Sequence, residues 1–97
     1  VNFSQLNKAF ESRIRLGIMA LLLVEDSVDY NSLKESLDVT DGNLASHIKA
    51  LEKEAYISVE KSFFGKKPHI RYQVTTLGRV EFDKHLKTLE AILKKIK

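Results

Sequence analysis

Cysteine is absent from the chain, which removes disulfides, thiolate metal sites and thiol nucleophiles together. Proline occurs once and glycine four times in 97 residues, with 43% hydrophobic and 30% charged side chains, so the composition is that of a folded globular chain. Long apolar runs are missing too. The longest, Ile18–Val24, is preceded by Arg15 and Gly17 and closed by Glu25 and Asp26, far short of a membrane span. No cleavable signal is visible, and a cytoplasmic protein is expected. The three histidines, His47, His69 and His85, fall on separate predicted elements, and no serine, histidine and acid share a local arrangement. An enzyme is therefore not expected.

Charge is present but unevenly spread. Residues 1–44 carry four basic and seven acidic side chains, and residues 45–97 carry twelve and six. The first part is net −3 and the second net +6, which points the second towards a polyanion. The length allows one domain, 1–97, with a single modest core.

Residues 4–24 read as helix, broken near Phe10-Glu11-Ser12, with Ser12 able to cap a second segment. Ile14, Ile18, Leu21 and Leu22 line one face and Leu16, Met19, Ala20 and Leu23 widen it, so this helix should be central. Arg13 and Arg15 either reach phosphates or stay in solvent; the solvated reading is preferred. Ser27–Tyr30 allows a single bridging strand. Asn31 or Ser32 then caps a short helix through Leu37, and Asp38-Val39 turns into Thr40.

The helix after Thr40 organises the rest. Asp41 suits its first turn, and Leu44, Ile48, Leu51 and Ala55 recur along one face. The opposite face carries Gly42, Asn43, Ser46, Lys49, Ala50 and Lys53, with His47 at its edge. Short polar groups and lysines opposite a buried face suit the DNA major groove.

Tyr56–Phe63 and Ile70–Val74 alternate as strands, joined by a longer loop, Phe64-Gly-Lys-Lys-Pro-His69. Lys61, Lys66, Lys67, Arg71 and Arg79 face one acid, Glu60, in this stretch, so the hairpin should project as a basic finger. Thr75-Thr-Leu-Gly opens a last helix over 76–97. Phe82, Leu86, Leu89, Leu93 and Ile96 form its heptad seam, expected to join two copies. Leu89, Leu93 and Ile96 are the partner-facing choice, Phe82 and Leu86 are free to pack on their own domain, and a helix folded back along its own core is the alternative. The order of elements describes a mainly α winged helix-turn-helix with a small β-hairpin and a long C-terminal dimerisation helix.

Asp41–Ile57, Thr75-Thr-Leu-Gly-Arg79 and Ser12-Arg-Ile-Arg-Leu16 resemble the recognition helix, the wing-to-helix junction and the first helix of small winged-helix transcriptional regulators of the MarR/ArsR superfamily. The resemblance covers nearly the whole chain. It implies a sequence-specific regulator of double-stranded DNA, with helix 41–54 in the major groove and the wing 61–71 on the backbone or minor groove. Asn43, Ser46, His47 and Ala50 would touch base edges or the groove. Thr40, Lys49, Lys66, Lys67 and Arg71 would touch phosphates, with Lys53 on the same DNA-facing side. Ala55 stands where many relatives place glycine, so the turn into Tyr56 is expected to differ.

Some superfamily members bind metal on the last helix, and Asp83-Lys-His85 supplies an opening pair; Lys94 and Lys95 occupy the downstream stretch, so neither metal nor cofactor is expected. A small-molecule effector, if one exists, would lie between the terminal helices. The competing reading is a winged-helix protein-interaction module without DNA binding.

Overall fold

The computed structural model describes all 97 residues. The chain forms four α-helices and a three-stranded sheet: α1 Arg13–Val24, β1 Val28–Asp29, α2 Tyr30–Leu37, α3 Asp41–Lys53, β2 Ile57–Phe64, β3 Lys67–Val74 and α4 Thr76–Ile96. Helix is expected from residue 4, but two single 3-10 turns, Phe3–Gln5 and Lys8–Phe10, precede α1. The Asn2 and Asn7 side chains accept from the N–H groups of Ser4 and Ala9, local bonds that compete with a continuous helix. Ser12 then caps α1 by accepting from the Arg15 N–H.

Helix α1 runs through the core, with Ile18, Met19 and Leu22 buried against Leu33, Leu44, Leu51 and Phe82. Asp29, rather than Asn31 or Ser32, caps α2: its Oδ1 accepts from the Ser32 N–H at 2.7 Å. That bond favours the carboxylate and holds the Asp29 pKa below its usual range.

Both helices of the helix-turn-helix end in the same way. At the close of α2 the Val39 and Asp38 N–H groups return to Lys34 O and Glu35 O, with Asp38 at φ 51°. At the close of α3 the Tyr56 and Ala55 N–H groups return to Leu51 O and Glu52 O, with Ala55 at φ 61°. This is the Schellman arrangement, sealed at α3 by buried Tyr56 and Leu51. The expectation that alanine would avoid a left-handed cap is therefore corrected. Two hydrogen bonds and an apolar contact outweigh a strain of about 1–2 kcal/mol.

The sheet is antiparallel in the order β1-β3-β2. The expected longer loop is instead a tight turn: Phe64 pairs with Lys67, leaving only Gly65 and Lys66 between the strands. Gly65, at φ 64°, supplies the positive first position of a II′-like turn. Pro68 lies inside β3, opposite Phe63. It is tolerated because the closing pair is hydrogen-bonded and the next is not, so its missing N–H faces away from β2. On that side β1 reaches only Arg71 and Tyr72.

Thr75 caps α4, its Oγ1 accepting from the Gly78 N–H at 2.9 Å. A Cβ at Gly78 would meet Tyr56 O at 2.0 Å, so the Thr-Thr-Leu-Gly motif is a close approach between α4 and the chain leaving α3.

Candidate nucleic-acid interface

Helix α3 buries Leu44, Ile48 and Leu51 and exposes Asn43, Ser46, Lys49 and Lys53, with His47 and Ala50 half-buried between. Its N-terminus is fixed by three contacts. Thr40 Oγ1 accepts from the Asn43 N–H, Lys34 pairs with Asp41 at 3.1 Å, and the Tyr30 hydroxyl donates to Asp41 O. The polar stripe is thus one solvent-facing surface on a helix held from beneath.

His47 is not free on that stripe. Arg15 Nε donates to its Nδ1 at 2.9 Å, linking α1 to α3. Burial, then the nearby Arg15 charge, push the His47 pKa down. Of the two readings of Arg15, phosphate contact or solvent, neither anticipated this bond. No sequence signal marks it, because the two residues lie 32 positions apart.

The wing divides into a base and a tip. Lys61, Lys66 and Lys67 are exposed towards the tip. Arg71 is not a projecting finger residue. Its Nε and Nη2 donate to Ser27 Oγ and Ser27 O at 2.7 and 2.8 Å, closing the junction between β1 and β3. The cause is its register opposite Asp29, beside the first strand. At the tip, Phe63 and Phe64 are each 69% exposed, and Phe64 tilts against His69 with centroids 4.9 Å apart. Sequence reading treated both as ordinary strand and loop residues.

Along α4 the heptad splits. Phe82 is 2% exposed and meets Phe10 edge-on at 5.0 Å, so this early member of the seam packs in the chain's own core. Leu86, Leu93 and Ile96 are exposed and Leu89 and Ile92 half-buried. Ile92 and Ile96 continue into an open apolar hollow of about 460 Å³ with Val1 and Phe3. His85, considered in the sequence only as half of a possible metal pair, is buried against Phe10 and Phe82. Its Nδ1 accepts from the Asn7 N–H at 3.0 Å, and burial lowers its pKa. That lone pair ties the N-terminal segment to α4.

This geometry has relatives. An uncharacterised protein of Methanocaldococcus jannaschii, MJ0432, is 35% identical over 89 residues, covering 92% of this chain and 97% of that protein. The structure of a transcriptional regulator homologue from Pyrococcus horikoshii OT3 superposes with a TM-score of 0.80 at 29% identity, covering 98% of this chain and 99% of that one. A MarR-family regulator from Enterococcus faecalis V583, at 22% identity, shares the fold with a TM-score of 0.73 over 96% and 79% of the two chains. The winged helix DNA-binding domain family matches residues 14–93, from within α1 almost to the end of α4. A buried first helix, a capped helix pair, a basic β-ribbon and a long last helix are what that match spans, and the chain belongs to the winged helix DNA-binding domain family.

Proposed function

We propose that the chain is a sequence-specific regulator of double-stranded DNA that binds as a homodimer, with α3 in the major groove and the wing tip on the backbone or minor groove. The observation that carries this reading is α3 itself. One face is locked into the core by Leu44, Ile48 and Leu51, and the other offers Asn43, Ser46, Lys49 and Lys53 with no partner inside the chain beyond the Thr40 cap. Short donors and acceptors on a rigid helix need the close approach that a major groove provides. Lys61, Lys66 and Lys67 supply the phosphate-facing charge beside it.

The homodimer is supported by the apolar outer half of α4, where Leu93 is 53% and Ile96 75% exposed. One recognition helix covers few base pairs, and two helices about 34 Å apart meet successive major grooves. Selection of bound sites from random duplexes tests both parts. Wild type should enrich a two-half-site sequence. Leu89→Asp with Leu93→Asp should sediment as a folded monomer and lose that enrichment. A wild-type dimer without measurable DNA affinity at low salt would leave the protein-interaction module, which the exposed Phe63 and Phe64 favour.

A further inference from the structure

The Arg15–His47 bond has a consequence for which base α3 can accept. Arginine carries five N–H donors and no acceptor, and it does not deprotonate in proteins. A bond from Arg15 Nε to His47 Nδ1 therefore requires a bare lone pair on Nδ1. The imidazolium cannot make that contact, and the neutral ring must carry its proton on Nε2. His47 Nε2 has no hydrogen-bond partner in the chain and is not among the buried unpaired atoms, so this N–H is open to a ligand. Asn43 and Ala50, four residues before and three after, put His47 on the polar stripe. Both are short enough to let a ring reach past them.

The other side of Arg15 is also unoccupied. It enters no ion pair, and it lines a hollow of about 280 Å³ with Lys8, Lys53 and Glu54 at the flank of α3. Three cations against one carboxylate suit a phosphate oxygen. We infer that Arg15 is a positioning residue for base readout: anchored on a backbone phosphate, it fixes His47 as an Nε2–H donor aimed at a base-edge acceptor. Guanine N7 and O6, adenine N7 and thymine O4 all accept such a donor, whereas cytosine offers only a donor amine at the corresponding place, so the fixed tautomer excludes cytosine. This rests on α3 occupying the major groove.

The test uses Arg15→Met, which keeps the aliphatic stem and the helix propensity while removing every donor. Long-range proton–nitrogen NMR of the full-length protein reads the His47 ring directly. Wild type should show Nε2–H with Nδ1 bare, and Arg15→Met a mixture of tautomers. Site selection should show cytosine excluded at one position per half-site, that discrimination falling roughly tenfold in Arg15→Met and in His47→Ala. The double variant should fall no further than either single one. A uniform loss across all sequences in Arg15→Met, with the His47 tautomer unchanged, makes Arg15 a phosphate contact only and overturns the inference while α3 remains the reader. If Asn43→Ala and His47→Ala both leave sequence preference intact, the groove assignment of α3 fails and the inference goes with it.

Discussion

Helix α3 rests on Leu44, Ile48 and Leu51, all buried, and is clasped at its start by Lys34, Tyr30 and Thr40. The wing, with two eight-residue strands, keeps only Ile57 and Tyr72 in the core. Both regions carry lysines, but only α3 holds polar side chains at fixed positions over a packed base. Base readout needs such fixed positions, whereas charge neutralisation tolerates motion. Under the proposed function, the difference would give one basic surface two jobs, divided by how firmly each part is held.

The sharpest way to break this comparison is a pair of truncations. Leu51→Ala should lower unfolding stability by about 2–5 kcal/mol in denaturant titrations. Phe63→Ala removes a larger side chain and should cost under about 0.5 kcal/mol, as expected for an exposed site. A Phe63 loss of several kcal/mol would show the wing docked rather than projecting.

Binding draws the same line more finely. Asn43→Ala should cost about 1–3 kcal/mol on a selected site and little on random DNA. Lys66→Ala should weaken all sequences alike and reduce the salt slope by about one. Titrating each variant against both duplexes at several salt concentrations separates the two. Equal losses for Asn43→Ala on both duplexes would make the helix another phosphate contact and erase the distinction.

Acid should loosen the body before the wing. His47 and His85 have folded pKa values pushed below 6.5, chiefly by burial, so the folded state favours their neutral forms. Their contribution is fully present above the unfolded value of 6.5 and is lost as pH falls through the lowered folded values. The urea midpoint should therefore drop from pH 7.5 to 5.5 at constant ionic strength. His85→Gln, which keeps an acceptor for the Asn7 N–H but cannot titrate, should flatten that slope.

The smallest expected effect lies where the two regions join. Ala55→Gly should raise stability by less than about 1 kcal/mol, because relief of left-handed strain is offset by a freer unfolded chain. Hydrogen exchange of the wing amides should nevertheless quicken.

Much of this architecture was legible in the sequence because it rests on periodicity. The spacing of Leu44, Ile48 and Leu51 marks the buried face of α3, and alternation from Ile57 and Ile70 marks the ribbon. Thr40 and Ser12 announce their caps through local chemistry. Contacts between distant residues escaped. The spacing of Phe82 fits an external seam as well as an internal one, and only packing against Phe10 decides it. Arg71 reads as a projecting phosphate contact until Ser27 is brought to it, and no local signal gives His85 its bond from Asn7. The turn length was misjudged because Pro68 suggests loop, although β3 lacks a neighbour on the side where its N–H is missing.

If α3 and the ribbon seat on DNA as proposed, the Ala55 joint also sets how the protein and a duplex share the work of fitting together. Its carbonyl accepts from Thr75 Oγ1 at 2.7 Å and the next carbonyl, that of Tyr56, from the Thr75 N–H, so the link between α3 and β2 is pinned at two successive peptide units by the start of α4. Alanine in the left-handed region has one narrow well, where glycine would have several. The angle between helix and ribbon is consequently a stiff template. A duplex whose groove width and twist do not match it must itself bend or unwind, and the elastic cost of doing so depends on sequence even at base pairs that no side chain touches.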